Sequence, residues 1–270
     1  MRFFITGTGG FIGGALAREL KDHHLTQFED ICDVKGWDKI ISGIIENGRY
    51  DAVFHVGACS DTQNTDVSYM MSRNVECTFL IADLCQQFGV PLIYSSSASA
   101  YGNDGAPQTL YAWSKYIGER YVIRTGGVAL RYFNVYGHDE SKKGKMASFI
   151  YQAYQTSKSG EKVRIFPSYP KTPWRDFVYV KDVISANWHA FENYQQLKGN
   201  TYDVGTGQAA KYETLLWNMG IDFDYTPVES IPRNYQYHTR AQHFMPGWSP
   251  KWKLKDGIDD YLLILNELSL

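Results

Sequence analysis

Thr6-Gly-Thr-Gly-Gly-Phe-Ile-Gly13, set between the short apolar run Arg2 to Ile5 and an apolar-periodic stretch from Phe11 to Leu20, constrains this chain more than any other segment. The pattern reads strand, tight turn, helix, the first half of a βαβ unit. Such a turn presents backbone N–H groups at the positive end of a helix dipole, where the pyrophosphate of a dinucleotide can rest. Of the glycines at 7, 10 and 13, one makes the turn, one lets a phosphate approach the backbone and one lets the helix close on the strand. Gly7, Gly10, Phe11, Ile12 and Gly13 are therefore candidate cofactor contacts. The alternative is a glycine turn that only packs. Ile12 stands where the commoner G-x-G-x-x-G spacing needs a glycine, so the motif is G-x-x-G-x-x-G.

Further strands are expected near Leu25 to Glu29 and at Tyr50 to Gly57, Val90 to Ser95 and Gly127 to Phe133. Helices are expected at Trp37 to Glu46, Tyr69 to Gln87 and Tyr111 to Arg124. This alternation implies an α/β fold, a doubly wound parallel sheet covered on both faces. After about Asn134 the chain turns to loops rich in Lys, Gly, Pro and aromatics, broken by helices at Ala147 to Thr156 and Val180 to Tyr194. The expected organisation is a Rossmann-like dinucleotide-binding domain over 1–145, to which 176–206 return. Most of 146–270 then forms a small, discontinuous C-terminal cap that binds substrate. Leu254, Ile258, Leu262 and Leu265 share one stripe of a last helix, the pattern of docking on a core.

Lys plus Arg number 27 against 29 Asp plus Glu, and this near-balance argues against a general nucleic-acid or anionic-membrane binder. Cys32, Cys59, Cys77 and Cys85 show neither C-x-x-C pairing nor a histidine at ligand spacing. No metal site is expected, and the thiols read as reduced, in a cytoplasmic protein. Glycines break up the apolar start through Ala17, which is not read as a secretory signal. No apolar run approaches the roughly 20 residues that span a bilayer. A soluble homo-oligomer is expected.

Ser95-Ser-Ser-Ala-Ser-Ala-Tyr-Gly102 closes a strand, and Tyr111-Ala-Trp-Ser-Lys115 opens a helix. Residues four apart share a helix face, so Tyr111 and Lys115 point together above the strand ends. A phenol titrates near about 10, and bringing it to about 7 needs roughly 4 kcal/mol. A neighbouring ammonium and an oxidised nicotinamide in a dry cleft could supply that. By itself Y-x-x-x-K is usually a solvated helix face; joined to the serine-rich strand end and the glycine turn it reads as a proton-transfer site. Lys142-Lys-Gly-Lys145, on its residues alone, is a solvated loop or a clamp for phosphate.

Further segments carry a family resemblance: Phe54-His-Val-Gly-Ala-Cys-Ser60, Tyr69-Met-Met71, Ser96-Ser-Ala98 with Tyr101-Gly102, and Arg131-Tyr-Phe-Asn-Val-Tyr-Gly137. Lys143-Gly144, Met146-Ala-Ser148, Arg175-Asp-Phe-Val-Tyr-Val180 with Asp182-Val183, Gly205-Thr-Gly207 and Tyr235-Gln236 continue the series. On these the chain resembles the extended short-chain dehydrogenase/reductase family, most closely its ADP-glyceromanno-heptose 6-epimerase branch.

That resemblance implies NAD or NADP as cofactor, a nucleotide-diphospho-sugar as substrate, and epimerisation by transient oxidation and re-reduction. It makes Tyr111 the catalytic acid/base, Lys115 the residue that holds the nicotinamide ribose and tunes the tyrosine, and Ser97 the partner of the reacting oxygen. Val56, Gly57, Ala58 and Asn74 would line the cofactor. Asp30 and Ile31 look like the family's adenine-contacting pair, while Asp33, about 20 residues beyond the glycine motif, would be the generic ribose partner. Lys143 takes the place of a second acid/base, which the chemistry needs because one tyrosine cannot easily serve both faces of a ketone. Lys142 and Lys145 would depress its pKa as like charges.

Arg175 and Tyr235 match positions that grip the diphosphate, a task suited to the planar guanidinium fork. The alternative for Arg175 is a buried ion pair with Asp176. Asn134 and Gln152 would meet the substrate, Gln152 in place of a histidine. Ala98 and Ser99 replace the aspartate and glutamate of nucleotide-sugar 4,6-dehydratases, which disfavours dehydration. Family members carry two strands between the first helix and the strand ending at Gly57, and this chain has room for one. Two alternatives stay open: a 4-epimerase or keto-reductase of another nucleotide sugar, and a non-catalytic dinucleotide-binding regulator, which has no use for Ser97, Tyr111 and Lys115 together.

Overall fold

A computed structural model describes residues 1–31, 36–102, 105–168, 172–231 and 236–267. Asp33, Cys32 and Tyr235 lie outside the described residues. β1 (Arg2–Thr6) runs through the glycine turn into α1 (Phe11–Glu19), followed by β2 (His24–Phe28), α2 (Trp37–Asn47) and β3 (Ala52–His55). A long helical passage comes next: α3 (Val67–Met70), a π-helical segment (Met71–Glu76) and α4 (Cys77–Phe88). β4 (Leu92–Ser97), α5 (Leu110–Arg124) and β5 (Val128–Tyr132) complete the first half.

The second half contains β6 (Asn134–Tyr136), a 3-10 segment (Glu140–Met146), α6 (Phe149–Lys158), β7 (Val163–Ile165) and β8 (Trp174–Tyr179). It ends with α7 (Val180–Glu192), the one-turn α8 (Tyr194–Leu197), β9 (Thr201–Val204), β10 (Ala209–Lys211), α9 (Tyr212–Met219), β11 (Phe223–Tyr225) and α10 (Leu254–Glu267).

Six strands form one sheet in the order β2-β1-β3-β4-β5-β9, and every neighbouring pair is parallel. Because side chains alternate along a strand, β1 buries Phe3 and Ile5 in one core with α1 and α7, and Phe4 in the other with α2 and α4. In that second core Trp37, Ile41 and Ile45 of α2 recur every four residues as one apolar stripe. The result is the expected doubly wound, Rossmann-like sheet. Its strand order reverses between β1 and β3, which opens a crevice at their carboxyl ends. Among the described residues a single strand separates α1 from β3, and that strand, β2, is the edge of the sheet.

β6, β8 and β10 make a small mixed sheet, and β7 pairs with β11. These strands are mostly three residues long, too short for a period of two to show in sequence. Within 176–206, α7 packs on β4, β5 and β9 while β9 joins the large sheet; β8 pairs outside it. α10 docks through Ile258, Tyr261 and Leu265. Among the described residues no helix is long and apolar enough to cross a membrane.

Candidate active site

The glycine turn is drawn against the end of β2 by hydrogen bonds from the Gly7 N–H to the Phe28 carbonyl at 2.7 Å and from the Gly9 N–H to the Glu29 carbonyl at 3.1 Å. Gly7 has a φ of 76°, the left-handed region open to glycine. A Cβ on Gly13 would lie 2.1 Å from the Gly7 oxygen, and one on Gly7 would lie 2.6 Å from the Gly57 Cα. The turn, α1 and the loop after β3 therefore share a junction that only glycine permits. Gly10 caps α1 without a side-chain hydrogen bond, so the first-turn amides keep their capacity for an anion. The buried Thr8 hydroxyl has no partner among the described residues. Free backbone donors, glycine clearance and an orphaned hydroxyl together fit the pyrophosphate of a dinucleotide.

Beside this turn, Ile31 is buried against Gly57, its Cδ1 2.7 Å from where a Gly57 Cβ would stand. Asp30 is exposed, and Val56 and Ala58 are half-buried. The residue that sequence reasoning missed is Glu29, which is exposed and whose backbone carries the bond to Gly9. β2 ends at Phe28, so Glu29 is the first residue past the strand, the place where an acidic group meets a ribose. Placing the strand end one residue earlier would have found it.

Below the turn runs a buried relay. The Gly57 N–H donates to Thr6 Oγ1 at 3.0 Å, and Thr6 Oγ1 lies 2.8 Å from His55 Nδ1. His55 Nε2 lies 3.0 Å from Thr78 Oγ1, which donates to the Asn74 carbonyl at 2.6 Å. Burial, helped by the Lys115 charge, pulls the His55 pKa down to about 3 and keeps the ring neutral. Asn74 sits in the π-helical segment, a feature common at functional sites. Its Oδ1 accepts from the Cys59 N–H at 2.8 Å, and its Nδ2 donates to the Cys59 carbonyl and the Ser114 hydroxyl. The amide expected to line the cofactor is thus committed to shaping the wall, fastening the loop after β3 to α5.

β4 delivers three serines with different fates. Ser95 and Ser96 are buried, donating to Tyr132 at 2.9 Å and Glu119 at 2.8 Å. Ser97 stays partly exposed, accepts from the Ser99 N–H and hydroxyl, and faces the Tyr111 phenol. Thr109 caps α5 by accepting from the Ala112 N–H at 3.1 Å, which fixes Tyr111 in the first turn. Lys115 is 3% exposed, donates to the Ser95 carbonyl at 2.8 Å and lies 5.0 Å over the Tyr94 ring. Burial holds the Tyr111 pKa above its ordinary value, and the Ser97 hydroxyl works against it. The serines are braced from behind by Glu119, which accepts two bonds from Arg131, while Arg131 lies 4.2 Å over Tyr101.

The Glu140–Met146 segment packs against α1. An Arg18–Asp139 ion pair and the Lys143 ammonium, 6.0 Å from the Phe11 ring, hold it there. The Lys143 pKa is lowered as expected, but for another reason: burial lowers it and the Glu140 charge opposes, in place of repulsion from Lys142 and Lys145. Gln152 is exposed and donates to the Lys145 and Ala147 carbonyls, so its amide holds this segment. Asn134 accepts from Thr239 at 3.4 Å. Arg175 is buried and donates to the Trp174 carbonyl at 3.2 Å. Asp176 is instead filled by Thr206, Gly207 and Ala241, so the carboxylate serves those partners.

A phosphate cradle, a facing Ser97–Tyr111 pair and a partly desolvated lysine on one crevice suit proton and hydride exchange at an alcohol carbon. The sequence profile of the NAD dependent epimerase/dehydratase family matches residues 3–205. An ADP-L-glycero-D-manno-heptose-6-epimerase from Brachyspira hyodysenteriae is 34% identical over an alignment of 282 positions, covering 88% of each chain. The crystal structure of the Helicobacter pylori ADP-L-glycero-D-manno-heptose-6-epimerase superposes with a TM-score of 0.82 at 26% identity, covering 98% of this chain and 96% of that one. A Thermus thermophilus UDP-glucose 4-epimerase, solved as a complex with NAD, has the same fold, with a TM-score of 0.78 at 21% identity over 98% of this chain and 99% of that one. Motifs, sheet order and sequence agree, and the chain belongs to the NAD dependent epimerase/dehydratase family.

Proposed function

We propose that this chain is a nucleotide-diphospho-sugar epimerase that inverts C6 of an ADP-glyceromanno-heptose. The observation that carries the reading is Ser97 and the Tyr111 phenol facing each other on the same switch-point crevice as a glycine turn at a helix N-terminus. The 34% identity to a heptose 6-epimerase supports the choice of sugar. Amides at Phe11, Ile12 and Gly13 would hold the pyrophosphate where it passes Gly10, Ile31 and Gly57 would flank the adenosine, and Glu29 would receive its ribose hydroxyls. Lys115 would meet the nicotinamide ribose. When bound, NAD or NADP supplies the acceptor and donor of hydride.

The residues of the chain then handle protons. Ser97 holds the sugar oxygen while Tyr111 removes its proton. After the ketone turns over, Lys143 returns a proton on the opposite face, a division of labour that inversion requires. Arg175 and Tyr235 would grip the diphosphate, and Asn134 would border the sugar. The small sheets of the second half form the cap that excludes water.

The test is incubation of the protein with ADP-heptose and with UDP-sugars in deuterated water. The expected outcome is inversion at C6 of the heptose with no deuterium on carbon. Turnover of a UDP-sugar alone would replace the substrate, and carbon-bound deuterium would replace hydride return with enolisation.

A further inference from the structure

Glu140 is fully buried, yet no step described above uses it. Its Oε1 accepts from the Gly137 N–H at 3.2 Å and the Ser148 hydroxyl at 2.9 Å, and its Oε2 accepts from the Ser148 N–H at 2.5 Å. One carboxylate thus ties the end of β6 to the start of α6, and the segment stretched between them carries Lys143. In a 3-10 helix residues three apart lie one above the other, so Glu140 and Lys143 share a face. The segment turns sharply just after Lys143, where Gly144 takes a φ of 51°. A partly desolvated ammonium is stabilised by an opposite charge in the same low-dielectric region.

Two other carboxylates near the segment are already engaged. Asp139 is paired with Arg18 of α1, and Asp260 of α10 is paired with Lys181 at 2.9 Å. Lys142 and Lys145 are exposed cations of the segment itself. From α10, Tyr261 faces Glu140 with a buried hydroxyl, and Asp256 stands on the same helix; from α6 come Ser148 and Tyr151; His138, beside Arg18 and Asp260, precedes the segment. Glu140 is the group whose field reaches Lys143.

We propose that Glu140 is a positioning residue for Lys143, fixing where its ammonium sits and supplying the opposite charge that a desolvated proton donor requires. The proposal rests on the reading of Lys143 as the second acid/base.

The test is the pH profile of kcat in the direction where Lys143 gives the proton, with KM and Tm measured alongside. In Glu140→Gln the alkaline limb should move down by about one pH unit, a tenfold loss of kcat on that limb, with KM changed less than about threefold. Glu140→Asp should move it less. Ser148→Ala removes a hydrogen bond to Glu140 but no charge and should leave the limb in place. A folded Glu140→Gln or Glu140→Asp protein with an unmoved limb overturns the proposal. So does failure of both to fold, which would make Glu140 a structural clamp alone. Lys143→Ala separates the two readings: unchanged turnover there removes the role of Lys143 itself, whatever Glu140 does.

Discussion

Lys115 of α5 gives its ammonium to the carbonyl of Ser95 on β4 at 2.8 Å, two residues before Ser97. The bond fastens the helix that carries Tyr111 to the strand that carries Ser97, so the lysine sets geometry as well as charge. Asn74 through Ser114 fastens the same helix from another side, and Thr109 caps its start.

Removing the phenol oxygen should therefore separate chemistry from structure. Tyr111→Phe is expected to lower turnover by about 10²–10⁴-fold, with dinucleotide affinity and urea stability nearly unchanged. Lys115→Met should in addition cost about 1–3 kcal/mol of stability, because it leaves the buried Ser95 carbonyl without this donor. Steady-state rates and urea midpoints on both variants check this; a fully active Tyr111→Phe protein removes the catalytic assignment.

Gly13→Ala should act on the cofactor site itself. The added Cβ would meet the Gly7 oxygen at 2.1 Å, so the turn must open or α1 must shift from β1. The expected outcome is at least a tenfold loss of dinucleotide affinity by calorimetry. Wild-type affinity would show that the turn is not where the pyrophosphate rests.

Glu29 and Asp30 place two carboxylates at the end of β2, beside the glycine turn. A 2′-phosphate there would meet like charge, with about 1–4 kcal/mol of repulsion at partly exposed dielectric. NAD should bind at least about tenfold more tightly than NADP, and Glu29→Ala should narrow the gap. Equal dissociation constants in the wild-type protein would place the ribose elsewhere.

His55 gives a pH signature. Its folded pKa of about 3 lies below the ordinary 6.5, so the unfolded chain takes up a proton that the folded one refuses. This contribution to stability is intact above pH 6.5 and is lost as pH falls toward 3, at about 1 kcal/mol per unit. The urea midpoint should decline between pH 6.5 and 5, where carboxylates mostly stay charged. The decline should flatten in His55→Gln. An unaltered slope would assign it to His138, also lowered by burial.

By itself the sequence determined five of the six strands of the large sheet, because β1, β3, β4 and β5 are apolar runs alternating with helices and that pattern is local; β9 was not among them. It likewise determined the glycine turn and the Tyr111–Lys115 face, whose spacing is fixed by helix geometry. Tertiary structure alone decided the rest. Where β2 ends made Glu29 the residue beside Gly9; packing of the π-helical segment on the loop after β3 drew the Asn74 amide into the wall; and burial over α1, more than neighbouring lysines, lowered the pKa of Lys143. The physical reason is common to all three. Desolvation and long-range hydrogen bonds depend on which segments meet, and residues far apart in sequence carry no periodicity that announces their meeting.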